Sequence, residues 1–184
     1  MMKSPEAEQS WQPLWAQHKP LMLDIGAGTR PRRDGPWTHI DIVPYPHIEL
    51  VGDAQQIVEQ LENGSVAAIN ASQFLEHIQN PLIVPTLTLW WDKLENGGWL
   101  EVEVPNLAIL MTEFLTTQVM STKEAVLAEI YALPTDLHPH RWGMDAAMLT
   151  HYLAEAGYHT PLIMPTDSVR KLRLRAHKGE IADG

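Results

Sequence analysis

The chain has 184 residues, 45% of them hydrophobic and 20% charged, and a formal net charge of -10. That length supports one well-buried core, and the negative field repels phosphate backbones and anionic lipid surfaces. Cysteine is absent, which excludes disulfides, zinc-thiolate centres and thiol nucleophiles.

The first ten residues are polar and acidic, without the apolar stretch of a signal peptide, and no apolar run reaches membrane-spanning length. A cytoplasmic protein with neither a membrane nor a nucleic-acid partner is expected, and its oligomeric state is left open. Residues 5–18 place Trp11, Leu14 and Trp15 on one helical face, read as covering a sheet, and Pro20 begins a new segment. The run Leu21-Met22-Leu23-Asp24-Ile25 follows, apolar enough for a strand buried on both faces, and it opens into Gly26-Ala27-Gly28. Ligands of parallel sheets sit at the carboxyl ends of strands, so this turn is the first candidate cofactor loop.

Pro31, Gly35 and Pro36 crowd the segment after the glycines and leave no room for a regular helix. With no helix N-terminus to meet a pyrophosphate, and Pro31 in place of a third glycine, a nicotinamide dehydrogenase is disfavoured. Further strands are expected at 38–42, 48–52, 66–71 and 98–104, with helices at 54–62 and 82–94. Asn96-Gly97-Gly98 serves as the turn into the fifth strand. Helical periodicity then covers 107–117, 122–132 and 145–156. Two final strands are expected at 159–164 and 168–177, the last alternating Leu172, Leu174 and Ala176 with Lys171, Arg173 and Arg175. That basic stripe is read as a solvated face near an edge.

Asp41 and Asp53 fall at the ends of the second and third strands. An ionised carboxylate offers only acceptors, which suits the vicinal hydroxyls of a ribose or an exocyclic amine. Asp53 also fits a helix N-cap ahead of Ala54-Gln55-Gln56.

The ordered set Asp24-Ile25-Gly26-Ala27-Gly28-Thr29-Arg30-Pro31, His39-Ile40-Asp41-Ile42, Val51-Gly52-Asp53-Ala54, Leu75-Glu76-His77, Leu94-Glu95-Asn96-Gly97-Gly98 and Glu103-Val104-Pro105-Asn106 resembles the class I S-adenosylmethionine-dependent methyltransferases. It is most similar to their small type-11-like branch, which His140-Arg141-Trp142-Gly143 and Leu153-Ala154-Glu155-Ala156-Gly157-Tyr158 also resemble. The resemblance implies an α/β, Rossmann-like methyltransferase fold: a mostly parallel sheet with an antiparallel last strand and helices on both faces. It makes 1–184 a single domain, with a helical extension at 1–19, a cofactor-binding half at 20–106, an acceptor-side half at 107–178 and a tail at 179–184. It implies S-adenosyl-L-methionine as cofactor. Gly26, Ala27 and Gly28 would approach its methionine part, Asp24 would orient the loop and the cofactor's amino group, and Asp41 with Ile42 would hold the ribose. Asp53 and Ala54 would read adenine, and Asn70 or Ala71 would line the transferred methyl.

Methyl transfer from a sulfonium asks the protein chiefly to align donor and acceptor, with a base only where the acceptor must lose a proton. The candidate bases are His77, His138 and His140. Gln73-x-x-Glu76-His77 resembles the Glu-x-x-Glu-His pattern of metal-dependent ubiquinone-pathway and small-RNA methyltransferases, with Gln in place of the first acid. A neutral amide attracts a hard cation weakly, so no metal is expected, and Glu76 and His77 are read as capping or bracing the helix. Asn70-Ala71-Ser72-Gln73 does not resemble the Asn-Pro-Pro-Tyr loop of nucleobase amine methyltransferases. A small-molecule or saccharide-like acceptor methylated on oxygen rather than nitrogen is therefore favoured. The alternative is a non-catalytic binding or assembly module with the same fold.

Overall fold

Alternation along the central strands sorts the side chains onto two unlike faces. The computed structural model describes residues 21–131 and 139–179. Strands β1 (Leu21–Ile25), β2 (Trp37–Asp41), β3 (Leu50–Val51), β4 (Val66–Ser72), β5 (Leu94–Pro105), β6 (His159–Met164) and β7 (Lys171–His177) form one sheet in the order β3-β2-β1-β4-β5-β7-β6. The first five pair in parallel, and β7 runs antiparallel to both β5 and β6. Sheet order reverses direction between β1 and β4, the topological switch point beside which ligands of open α/β sheets bind.

In register, Ile25, Ala71, Val102 and Leu174 form a row of buried apolar residues across four strands. Helices α1 (Ala54–Glu59), α2 (Asn80–Lys93) and α5 (Ala146–Glu155) seal that face with Val58, Ile83, Leu87, Trp90, Leu149 and Leu153. One position along, the row reads Asp24, Asn70, Glu101 and Arg175 on the opposite face. Glu101 and Glu103 are buried there and paired. Arg175 Nη2 lies 2.6 Å from Glu101, and Arg173 Nε donates to Glu103 at 2.9 Å. The half-exposed basic stripe of β7 is thus neutralised from β5, and β7 lies next to the edge strand β6. The helix expected over 5–18 lies outside the described residues.

Helix α3 (Leu107–Thr116) starts where β5 stops, with Asn106 Oδ1 accepting from the N–H of Ile109, and pairs with α4 (Met120–Tyr131). Arg170, in the β6–β7 connection, joins both helices through Glu113 at 2.6 Å and Glu129 at 3.0 Å. Other boundaries moved for local reasons. Helix α2 begins at Asn80 because proline is tolerated in a first turn, where no intrahelical N–H bond is lost. The strand expected at 98–104 extends back to Leu94 through an irregular stretch. A side chain at Gly98 would come within 3.1 Å of the Ala67 carbonyl oxygen, so the backbones approach closely there.

Glu101 is buried and pairs with both Arg32 and Arg175. Glu101→Ala is expected to lower stability by about 1 to 3 kcal/mol, because it removes charge-assisted hydrogen bonds from two half-buried arginines. The midpoint of urea unfolding measures it, and Ile163→Ser on the exposed edge strand should stay within about 0.5 kcal/mol of wild type.

Candidate cofactor and acceptor site

Strand β1 leaves the core directly into a turn in which Gly26 and Gly28 have φ of 66° and 55°. At Gly26 glycine is needed twice over, since a Cβ would stand 2.6 Å from Cδ2 of Phe74. The turn is tied to β2. The N–H groups of Gly26 and Ala27 donate to the Ile40 carbonyl at 2.9 and 3.2 Å, and that of Gly28 donates to Asp41 Oδ2 at 2.8 Å. Val43 N–H occupies Asp41 Oδ1 at 2.8 Å, and His47 Nε2 meets the Gly28 carbonyl at 2.8 Å. Asp41 therefore shapes the loop as well as facing the ligand edge. Turns and bends fill the segment from Gly26 to Pro36, as the prolines require.

Two adjoining clefts open at this edge, sharing Gly26 and Gln73. The first, of 460 Å³, is lined by Asp41, Ile42, Asp53, Ala54, Phe74 and Leu82 among others, and reaches His77 and Arg141. Ile42 and Leu82 are 56% and 49% exposed, unusual for large apolar side chains, and together with Ala54 and Ile78 they make an apolar slot. Asp53 caps α1 by accepting from Gln55 and Gln56 through Oδ1 alone, so the N-cap role leaves Oδ2 for a ligand. The second cleft, of 550 Å³, is polar and carries Asp24, Ala27, Gly28, Arg30, Arg32 and Asn70.

Asp24 and Asn70 lie beneath that second cleft, with hydrogen bonds already made inside the protein. Asp24 Oδ2 accepts from the N–H of Arg32 at 2.8 Å, and Oδ1 accepts from Asn70 Nδ2 at 2.6 Å. Arg32 Nη1 then donates to Asn70 Oδ1 at 3.0 Å and Glu101 Oε1 at 2.7 Å, with its guanidinium 4.7 Å from the Trp37 ring centre. Burial opposes the charge on Arg32, but Asp34 and Glu101 together raise its pKa. Ala71 departs from expectation. Its side chain is fully buried on the helix-covered face and lines neither cleft. The residues after β4 that do line them are Gln73, held at φ of 54°, and Phe74. Gln73 Nε2 is buried without a hydrogen-bond partner, an orphan donor at the junction of the two clefts. In the sequence Gln73 stands out only as the neutral residue in place of the first acid of the Glu-x-x-Glu-His pattern, and its unusual φ leaves no local signal.

At the far end of the first cleft, Glu76 and His77 form a 3-10 turn, Leu75–His77, rather than bracing a helix. The Glu76 carbonyl accepts the N–H groups of Arg141 at 2.7 Å and Trp142 at 3.1 Å, which docks the distant segment 139–142 here. His77 and His140 come together with ring centres 4.8 Å apart, while His138 lies outside the described residues. The Glu76 carboxyl is buried with no hydrogen bond from another residue, and desolvation, helped by the nearby Glu103 charge and opposed by its own backbone N–H, pushes its pKa up to about 8.

Strand order, cleft position and glycine turn allow comparison with known proteins. No family model matches the chain, and no curated protein matches it in sequence. Among solved structures, a SAM-dependent methyltransferase from Archaeoglobus fulgidus superposes with a TM-score of 0.60 at 14% identity, over 94% of this chain and 93% of that one. Human N-acetylserotonin methyltransferase in complex with SAM gives 0.56 at 14% identity, over 88% of this chain and 48% of that one. The 1,6-didemethyltoxoflavin-N1-methyltransferase of Burkholderia thailandensis, with bound S-adenosylhomocysteine, gives 0.54 at 15%, over 95% and 80%.

The fold is that of SAM-dependent methyltransferases. The chain spans nearly all of the archaeal methyltransferase and about half of the human one. In this chain the glycine turn is held by β2 and by Arg32, and Asp24 is satisfied within the protein.

Glu76 predicts a distinctive pH response. An acid whose folded pKa lies above its unfolded value of about 4.5 withdraws stability as pH rises toward about 8, at about 1.4 kcal/mol per pH unit. Glu76→Gln should therefore unfold at a higher temperature than wild type near neutrality. The difference should vanish near about pH 4.5, and scanning calorimetry across that range measures both.

Proposed function

We propose that the chain is an S-adenosylmethionine-dependent methyltransferase whose acceptor is a small or saccharide-like molecule methylated on oxygen. The observation that carries this reading is the convergence of Gly26, Asp41 and Asp53 on one cleft, with the orphan amide of Gln73 at its inner end. The residues fit the cofactor. The slot of Ile42, Ala54, Ile78 and Leu82 offers apolar surface to a purine, and Asp53 Oδ2 and the Ala54 backbone are placed for its polar edge. Each Asp41 oxygen accepts one backbone N–H and retains a second lone pair for a ribose hydroxyl. Gly26 lets a ligand approach the backbone, and exposed Arg30 on the second cleft offers a cation to a carboxylate.

When bound, the cofactor supplies a sulfonium-activated methyl group that a nucleophile can displace in line. The chain's task is alignment. Gln73 donates at the junction of the clefts, and Phe74 walls that point by packing against Gly26. His77 and Arg141 line the acceptor end, with His140 behind His77. In this reading Ala71 acts only through the core, whereas Asp24 and Asn70 hold the glycine turn in shape.

Titration calorimetry with S-adenosylmethionine and S-adenosylhomocysteine, with NAD as control, tests the reading. Binding of the first two alone is expected. Failure of both to bind folded protein would favour the non-catalytic module. Asp41→Ala is an unclean probe because it also frees two backbone N–H groups, so Ile42→Glu is the sharper variant. It should weaken S-adenosylhomocysteine by about tenfold or more while leaving the thermal midpoint nearly unchanged, since Ile42 is more than half exposed.

A further inference from the structure

Gln73 carries two unfavourable features at one position. Its φ of 54° is a conformation that a residue with a Cβ rarely adopts, held here by the bond from its N–H to the Glu103 carbonyl at 2.7 Å. Its side-chain Nε2 is buried without a hydrogen-bond partner. Both fall at the junction of the two clefts, beside the glycine turn and Phe74. An N–H that finds no acceptor in the protein is satisfied by a ligand atom with a lone pair. An ammonium group offers only hydrogens there and is rejected, whereas an ionised oxygen is the strongest acceptor. The surroundings agree. Arg141 lines the first cleft and is exposed, and its guanidinium has no partner among the described residues. In a chain of net charge -10, which repels anions over most of its surface, an uncommitted arginine in a cleft is a local exception. The buried acids of the second cleft are already engaged, Asp24 by Asn70, Glu101 by Arg32 and Arg175, and Glu103 by Arg173.

We propose that the methyl acceptor is a carboxylate, held by the Gln73 amide and the Arg141 guanidinium, and that the product is a methyl ester. The proposal rests on the methyltransferase reading and narrows its oxygen acceptor to one class. A carboxylate has lone pairs enough to accept from Gln73 and Arg141 and still present one to the methyl group, and the planar guanidinium matches its geometry. One carboxylate oxygen displaces the sulfur in line. The new bond is O–C, the broken bond is C–S, and the sulfur keeps the electron pair. Anion and sulfonium cation give a neutral ester and neutral S-adenosylhomocysteine. No proton moves, so the step needs no general base and makes no demand on His77. Gln73 sets specificity in this scheme, because its N–H accepts no substitute that lacks a lone pair at the reacting atom.

The test is nuclear magnetic resonance on the full chain, labelled with nitrogen-15 and saturated with S-adenosylhomocysteine. The side-chain amide signal of Gln73 is assigned by its loss in Gln73→Glu, which keeps the shape and removes the donor. Sodium acetate and sodium glucuronate are titrated at constant ionic strength, with glucose and methylammonium chloride as controls. Both carboxylates should move the Gln73 amide signal saturably, and neither control should. Arg141→Ala, at an exposed position that leaves the fold intact, should weaken acetate by about tenfold or more. No shift with either carboxylate, an equal shift with glucose, or full acetate affinity in Arg141→Ala overturns the proposal. It also falls if S-adenosylhomocysteine moves the amide and acetate adds nothing, since the donor then serves the cofactor's own carboxylate. S-adenosylhomocysteine binding without an acetate response removes only the carboxylate acceptor. An acetate response in protein that binds no S-adenosylhomocysteine removes the methyl transfer and leaves a carboxylate site.

Discussion

Arg32 is the interaction on which the ligand edge of this fold depends. Its backbone N–H holds Asp24, and its guanidinium holds Asn70, Glu101 and Asp34 while lying over the Trp37 and Trp99 rings. One residue, through its backbone N–H and its guanidinium, thus joins β1, β4 and β5 across the topological switch point. Where other nucleotide-binding sheets place a helix after the glycine turn, this chain has a proline-rich loop that makes few regular backbone bonds of its own. Charge-assisted hydrogen bonds from Arg32 supply the missing restraint. The planar, always-charged guanidinium suits that position because it can stack on indole and bond several acceptors at once.

The two faces of the sheet divide the labour. Apolar rows such as Ile25, Ala71, Val102 and Leu174 bury against three helices and carry most of the hydrophobic stabilisation. The opposite face buries Glu101 and Glu103 only because Arg32, Arg173 and Arg175 neutralise them. Both faces meet at the carboxyl edge, where one cleft inherits an apolar slot and the other a polar floor. A ligand with an apolar aromatic end and a charged, zwitterionic end matches that division, which is a stronger argument for the cofactor class than the two glycines alone.

The residues that stay unsatisfied point the same way. Among the described residues, Gln73 Nε2, both Glu76 oxygens and the indole nitrogens of Trp90 and Trp91 are buried without partners, while buried Asp24, Lys93, Glu101 and Glu103 are paired. The Gln73 and Glu76 orphans lie in one short segment after β4, and each borders a cavity. A fold tolerates such groups at a cost in stability where a ligand completes them.

Much of this protein is determined by the sequence alone. Strand and helix order, the helix-free glycine loop and the acids at the ends of β2 and β3 follow from apolar periodicity, prolines and local hydrogen-bonding chemistry, all of which act over a few neighbouring residues. The tertiary structure decided what depends on residues far apart in the chain. It pairs the β7 arginines with β5 glutamates, turns Ala71 into the core and makes Asp41 a clamp on the loop. It also joins Glu76 and His77 to His140. Neither strand register nor the docking of a distant loop leaves a local pattern, because both are set by which surfaces bury together and which charges must be neutralised when they do.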